Sequence, residues 1–245
     1  MRGAVSNYLR RHDLRQIRLK AVLVDMDGVL FDSMPLHAKA WVQAARDFSL
    51  AMTEHDAFLH EGRTGRSTID ILMQRQYGRR ATDSEAADLY AAKCRYFNLL
   101  PAAPVMPGAL EFLNQVKTIG LQIVLVTGSG QHSLLDHLNH YFPDIFRADL
   151  AVTSFDVREG KPAPEPYLMG LSKGGVLSGE ALAVENAPLG VRSAVSANIF
   201  TVAVNTGPLR DDELLSEHPD LLLHSMSELS DRWAALREAL ARTTI

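Results

Sequence analysis

The feature that most restricts the fold is a set of short apolar runs, most of them ending in a polar or acidic residue. The first is Lys20-Ala-Val-Leu-Val-Asp25, and comparable runs recur at 121–127, 149–153, 181–185 and 201–204. Unbroken hydrophobicity over four or five residues suits a strand buried on both faces. Helical patterns lie between the later runs, at 108–118, 133–140, 164–173 and 189–197. Strands alternating with helices of this length predict an α/β protein, a Rossmann-like parallel sheet with helices on both sides. One interval breaks the alternation: from Met34 to Leu100 the chain reads as successive helices with no convincing strand. The expected organisation is a helical extension at 1–17, a core formed by 18–33 and 104–245, and a helical cap at 34–103 inserted after the first strand.

The 245 residues are 47% hydrophobic and 22% charged, enough apolar material for a core that needs neither disulfide nor structural metal. Lys and Arg number 25 against 29 Asp and Glu, a net charge of −4. No global basic field is available to recruit nucleic acid or an anionic membrane. Arg10, Arg11, Arg15, Arg18 and Lys20 are interleaved with Leu9, Leu14, Ile17 and Leu19. That stretch reads as a surface helix leading into the first strand, with a basic arm for a membrane or polyanion as the alternative. A single cysteine, Cys94, excludes an internal disulfide and a thiolate zinc cluster, and reads as a small buried hydrophobe. No apolar stretch is long enough to span a bilayer, and the first residues lack a secretory pattern. The expectation is a cytoplasmic monomer.

In open parallel sheets, ligands bind beyond the carboxyl ends of the strands. The polar groups expected there are Asp25-Met26-Asp27-Gly28, Thr127-Gly128-Ser129-Gly130, Gly160-Lys161-Pro162 and Glu185-Asn186. Each has a role if the substrate is a phosphate. Asp25 would attack phosphorus and form an aspartyl-phosphate. Two unit charges 4 Å apart repel by about 4 kcal/mol at an effective dielectric of 20, so a bridging Mg²⁺ is expected. Asp25, the backbone carbonyl of Asp27, and Asn186 or Glu185 are its candidate ligands, since hard oxygen donors suit this ion. Side chains at i and i+2 of an extended segment point the same way, so Asp27 can serve as acid and then base. Thr127, Gly128 and Ser129 would hold phosphate oxygens, and Lys161 would neutralise the charge developing on them. Singly, each motif has a plainer reading: a capping Asp-x-Asp, a turn with an N-cap, a solvated lysine, a capping asparagine. All four in this order, each after a strand, favour one site.

These motifs, Asp25-Met-Asp27-Gly-Val-Leu-Phe-Asp32-Ser33, Thr127-Gly-Ser129, Lys161-Pro-Ala-Pro and Glu185-Asn186, resemble those of the haloacid dehalogenase superfamily across residues 18–230. The helical insert is similar to the cap of the β-phosphoglucomutase-like branch, which His37 and Trp41 also fit. The resemblance implies that His37 orients Asp27 when the cap closes; a helix-surface or core histidine is the alternative. The presence of Asp27 favours phosphoryl transfer over dehalogenation. Asn186 departs from the aspartate common in relatives, leaving one negative charge fewer.

Within the cap the segment His60-Glu-Gly-Arg-Thr-Gly-Arg-Ser-Thr68 stands where this branch sets its specificity. Arg63 or Arg66 could grip a distal phosphate. Glu61 facing a bare phosphate needs a cation between them, which suits a Mg²⁺-loaded diphosphate; a hinge carboxylate paired with Arg63 is the alternative. Lys93 matches a cap lysine of the branch, against a solvated helix lysine. The strings His-Glu-Gly-Arg-Thr-Gly, Val-Thr-Gly-Ser-Gly-Gln, Glu-Asn-Ala-Pro-Leu-Gly and Val-Asn-Thr-Gly-Pro-Leu resemble the inorganic pyrophosphatases of this superfamily from Bacteroides-type bacteria. The sequence therefore predicts a Mg²⁺-dependent phosphohydrolase for a small phosphorylated substrate, first pyrophosphate. β-Phosphoglucomutase, a sugar-phosphate phosphatase and a non-catalytic phospholigand sensor remain the alternatives.

Overall fold

The computed structural model describes residues 1–129 and 134–244. Among the described residues six strands are formed: β1 (Ala21–Val24), β2 (Gln122–Val126), β3 (Ala151–Val152), β4 (Ala181–Glu185), β5 (Phe200–Val204) and β6 (Leu221–Leu223). They make one parallel sheet in the order β3-β2-β1-β4-β5-β6. Every residue of β1, β4 and β5 is buried, as a sheet covered on both faces requires.

Alternation along β1 divides the core. Val22 and Val24 face a cluster built with Val5, Tyr8, Phe112, Leu113, Trp233 and Leu236. These come from α1 (Arg2–Arg11), α6 (Ala109–Thr118) and α11 (Met226–Arg242). Ala21 and Leu23 face Tyr167, Leu171 and Ala194, supplied by α8 (Glu165–Gly174) and α9 (Pro188–Ser196). Tyr8 donates its hydroxyl to the carbonyl of Asn198 at 2.8 Å, fastening α1 beside the sheet. On the same side as α1 the chain also forms α7 (Leu134–Tyr141), where Leu138 joins the first cluster. Gly130, and the expected start of that helix at Ser133, lie outside the described residues.

Between β1 and β2 the chain forms α2 (Met34–Asp47), α3 (Glu54–Leu59), α4 (Gly65–Tyr77) and α5 (Asp83–Asn98). Ala38, Ala44, Phe58, Ile69, Leu72 and Leu89 give these helices an apolar cluster of their own. Thr53 with Asp56 and Thr82 with Glu85 close reciprocal capping boxes at the starts of α3 and α5. Leu209 joins this cluster from the far end of the chain.

Beyond Val204, where the sequence suggests no element, lie α10 (Asp211–Leu215), β6 and α11. β6 is a three-residue, half-buried edge strand, too short to leave a periodic signal. β3 is shorter than its apolar run because 148–150 wind into a 3₁₀ turn first. Among the described residues no helix is long and apolar enough to cross a membrane.

Candidate active site

Parallel register brings the predicted motifs to one edge. Val24 lies opposite Leu125 on one side and Val184 on the other, so Asp25, Thr127 and Glu185 emerge together. The strand order reverses between β1 and β4, which places Asp25 at the switch point where such sheets bind ligands.

Lys161 stands at the centre of the core side. Its Nζ donates to Asp25 Oδ1 at 2.6 Å and to the Val126 carbonyl at 3.1 Å, and lies 2.6 Å from Glu185 Oε1. The Lys161–Pro162 peptide is cis. Burial opposes the lysine's charge, but Asp25 and Glu185 prevail and raise its pKa. Burial and the charge of Glu185 push Asp25 up, against the pull of Lys161. Tyr167 donates its hydroxyl to the same Glu185 oxygen at 2.7 Å. Thr127 Oγ1 accepts from the Ser129 amide at 3.0 Å, shaping the Gly128–Ser129 turn beside the cavity.

Asp27 sits half-buried two residues on. Ser33 donates to its Oδ1 at 2.6 Å, and His37 Nε2 lies 3.3 Å from the same oxygen. Lys93 Nζ lies 2.9 Å from His37 Nδ1. A protonated lysine can only donate, so Nδ1 is the acceptor and Nε2 carries the hydrogen offered to Asp27. Burial alone would raise Asp27, but His37, Ser33 and Lys93 together hold it low. Burial lowers the pKa of both His37 and Lys93. The Lys93 ammonium is ringed by Phe97, Trp41 and Tyr90 at 5.0, 5.7 and 6.0 Å from their ring centres, which offsets part of its desolvation. His37 stacks on Phe97 at 4.2 Å.

The cap covers this edge through the turn after α3. Glu61 is only 6% exposed, and its Oε1 accepts from Asn186 Nδ2 at 3.0 Å. It is bonded to Asn186, and no Arg63 pairing is formed. Burial, then Asp25, drives its carboxyl well above the ordinary range. Gly28, at φ +77°, runs so close to Asn186 that a Cβ there would fall 1.9 Å from Nδ2. Only glycine fits that approach. Arg63 lines the cavity with a buried Nε that has no partner among the described residues. Arg66 corrects the sequence expectation: it bonds Asp70, Asp83 and the Ala81 carbonyl within the cap, away from the cavity. Cys94 is half-buried, more open than expected, and does not line the cavity. The cleft has a volume of about 80 Å³, with Asp25, Asp27, His37, Glu61, Arg63 and Lys93 on its walls.

A divalent cation fits these donors. Asn186 Oδ1 is buried without a hydrogen-bond partner among the described residues, and the carboxylates of Asp25, Asp27, Glu61 and Glu185 gather there, with Lys161 contacting Asp25 and Glu185. Among the described residues no trio of His, Cys, Asp or Glu forms a ready-made metal cluster. The donor set is instead mixed, carboxylate with amide and backbone oxygens.

Ser33 and Tyr167 escaped the sequence reading. Ser33 carried a signal, since it closes the first motif six residues from Asp27. Tyr167 carried none, because a buried aromatic on a helix reads as core.

Comparison with known proteins agrees with this arrangement. The family model for haloacid dehalogenase-like hydrolases matches residues 19–198. Hexitol phosphatase A of Escherichia coli is 31% identical over 214 residues, 87% of this chain and 94% of that protein. Beta-phosphoglucomutase of Bacillus subtilis is 27% identical, covering 91% of this chain and all of its own length (100%). A solved Bacteroides vulgatus protein, provisionally named a beta-phosphoglucomutase, is 54% identical with a TM-score of 0.95. That match covers 98% of this chain and 97% of the other. With a family match running from β1 through the whole insert to the end of α9, the chain belongs to the haloacid dehalogenase-like hydrolases, in their beta-phosphoglucomutase-like branch.

Proposed function

We propose that this chain hydrolyses small phosphorylated substrates through an aspartyl-phosphate on Asp25, with inorganic pyrophosphate as first choice. Asp25 attacks phosphorus, and the bond to the leaving oxygen breaks as Asp27, a carboxylate at rest that takes up a proton when substrate binds, gives that proton to it. Asp27 then takes a proton from the water that attacks the aspartyl-phosphate, releasing phosphate and restoring Asp25. Lys161 keeps Asp25 aimed and balances charge on the transferring oxygens. Ser129, with the Gly128 backbone, borders the position of those oxygens. Asp25, Asn186, the Asp27 carbonyl and Glu61 would hold Mg²⁺, which when bound screens the repulsion between carboxylate and phosphate.

Glu61 carries the choice of substrate. A buried cap carboxylate bonded to Asn186 stands at the cation end of the site, where a charged diphosphate is accommodated more readily than a neutral sugar ring.

A sugar-phosphate phosphatase or phosphomutase is the second reading, favoured by the names of the relatives. Arg63, with its unpartnered Nε, would then meet the distal anionic group. A sensor without turnover has no use for the hydrogen bonds that prepare Asp27.

The test is phosphate release from pyrophosphate and from a sugar-phosphate panel with Mg²⁺, together with glucose 6-phosphate formation from β-glucose 1-phosphate. Glu61→Ala should lower kcat/KM on pyrophosphate about 30- to 1,000-fold and spare an activated aryl phosphate. Equal losses on both would leave only the general phosphohydrolase.

A further inference from the structure

The string Asn205-Thr-Gly-Pro-Leu209 follows β5 and has no part in the chemistry above. It nevertheless touches both sides of the site. Thr206 donates its hydroxyl to the Gly28 carbonyl at 2.7 Å, next to Asp27. Leu209 is buried in the apolar cluster of the inserted helices, beside Met34, Ala38 and Phe58. A methyl at Gly207 would lie 3.5 Å from Cε1 of Phe58. At the next helix, His55 Nε2 and Glu213 Oε1 are 3.2 Å apart. Asn205 braces the loop from within, its Nδ2 donating to the Leu209 carbonyl at 2.9 Å and to Asp211 at 2.8 Å.

The contacts on the inserted helices converge on α3. Phe58 and His55 belong to it, and the Phe58 carbonyl accepts from the Glu61 amide at 3.3 Å. A displacement of Phe58 therefore moves Glu61. We infer that residues 205–213 form a clasp that sets where α3, and with it Glu61, stands over Asp25, and that Leu209 and Thr206 are positioning residues for the reaction. The role assigned to Glu61 rests on the proposed function; the clasp itself rests on these contacts.

Three variants test it: Leu209→Ala, Thr206→Val and Leu209→Ala combined with Glu61→Ala. Each of the first two should lower kcat/KM on pyrophosphate by about tenfold, and Leu209→Met should restore most of it. In the Glu61→Ala background, Leu209→Ala should change kcat/KM by less than about twofold, because the clasp acts through that carboxylate. Hydrogen exchange supplies a readout that needs no turnover: amides of 54–61 should exchange faster in Leu209→Ala and Thr206→Val, with β1 and β4 unchanged. Losses that multiply in the double variant, or exchange that quickens equally throughout, would overturn the clasp. A wild-type enzyme inert toward every phosphate tested would instead sink the proposed function, and the exchange result would still decide the clasp. Should Leu209→Ala not fold, Thr206→Val, which keeps the shape of the side chain, decides it by the same two measurements.

Discussion

Asp25, Lys161 and Glu185 meet below the cavity, with the lysine 2.6 Å from each carboxylate, and two of the three stand at strand ends. Glu61, Arg63, His37 and Lys93 meet above it, each carried by a helix or the turn after one. The lower group is locked by ladder hydrogen bonds on both sides of β1. The upper group depends on how four short helices pack on each other and on a clasp from 205–213. Strand ends can therefore hold a fixed chemistry, while helices and their turns can be retuned to select what is bound.

The sharpest way to break this contrast is Asp25→Asn. On the core side one change should abolish turnover, lowering kcat by more than about a thousandfold. The melting temperature should hold or rise, since the change relieves the crowding of Asp25 with Glu185. Phosphate release and a thermal melt check both; activity above a tenth of wild type would remove Asp25 as nucleophile. Asp27→Asn should keep phosphate binding but lose about 10²–10⁴ in kcat, the usual worth of acid–base help.

Lys93→Met probes the upper side. It removes the donor that fixes the His37 tautomer while preserving apolar bulk inside the ring of aromatics. The expected loss is about 5- to 30-fold in kcat, roughly 1–2 kcal/mol, with KM little changed. A larger loss in KM than in kcat would show that Lys93 meets substrate directly.

The smallest effect is on stability in acid. Burial disfavours the Asp56 carboxylate, but hydrogen bonds from Thr53 and Arg75 prevail and lower its pKa to about 2. A carboxyl depressed in the folded state contributes stability above its unfolded value, and that contribution fades as pH falls toward the folded one. The start of α3 should therefore loosen between about pH 4 and pH 2, before the sheet does. Hydrogen exchange across that range checks the order, and Asp56→Asn should flatten the change. Solvent screening at this largely exposed pair keeps the effect within about 1 kcal/mol.

The same contrast explains what the sequence made legible. Short apolar runs ending in Asp25, Thr127 and Glu185 had one plausible geometry, because parallel strands place their ends together. Inserted helices could be recognised as helices, yet not oriented. Nothing in the spacing separates Arg63, which lines the cavity, from Arg66, which is turned into Asp70 and Asp83. Glu61 was noticed as an oddity of charge, but its bond to Asn186 spans 125 positions and depends on how the cap sits. Leu209 closes one of the strings that carry the resemblance, yet a leucine in a loop does not show whose core it fills.

The place of β1 in the sheet also bears on how the chain assembles. Its two neighbours are β2, beginning at Gln122, and β4, beginning at Ala181. The strand that carries the nucleophile cannot be hydrogen-bonded on both sides until β4, which begins 160 positions after it (Ala21 to Ala181), has been made. The inserted helices find most of their partners within 34–98 and can begin to pack sooner, but Leu209 completes their cluster only from beyond β5. Closing so long a loop costs entropy before any ladder bond repays it, which makes pairing of β1 the slow event. Catalytic competence thus comes late in folding, and the final seating of Glu61 waits likewise for residues 205–213.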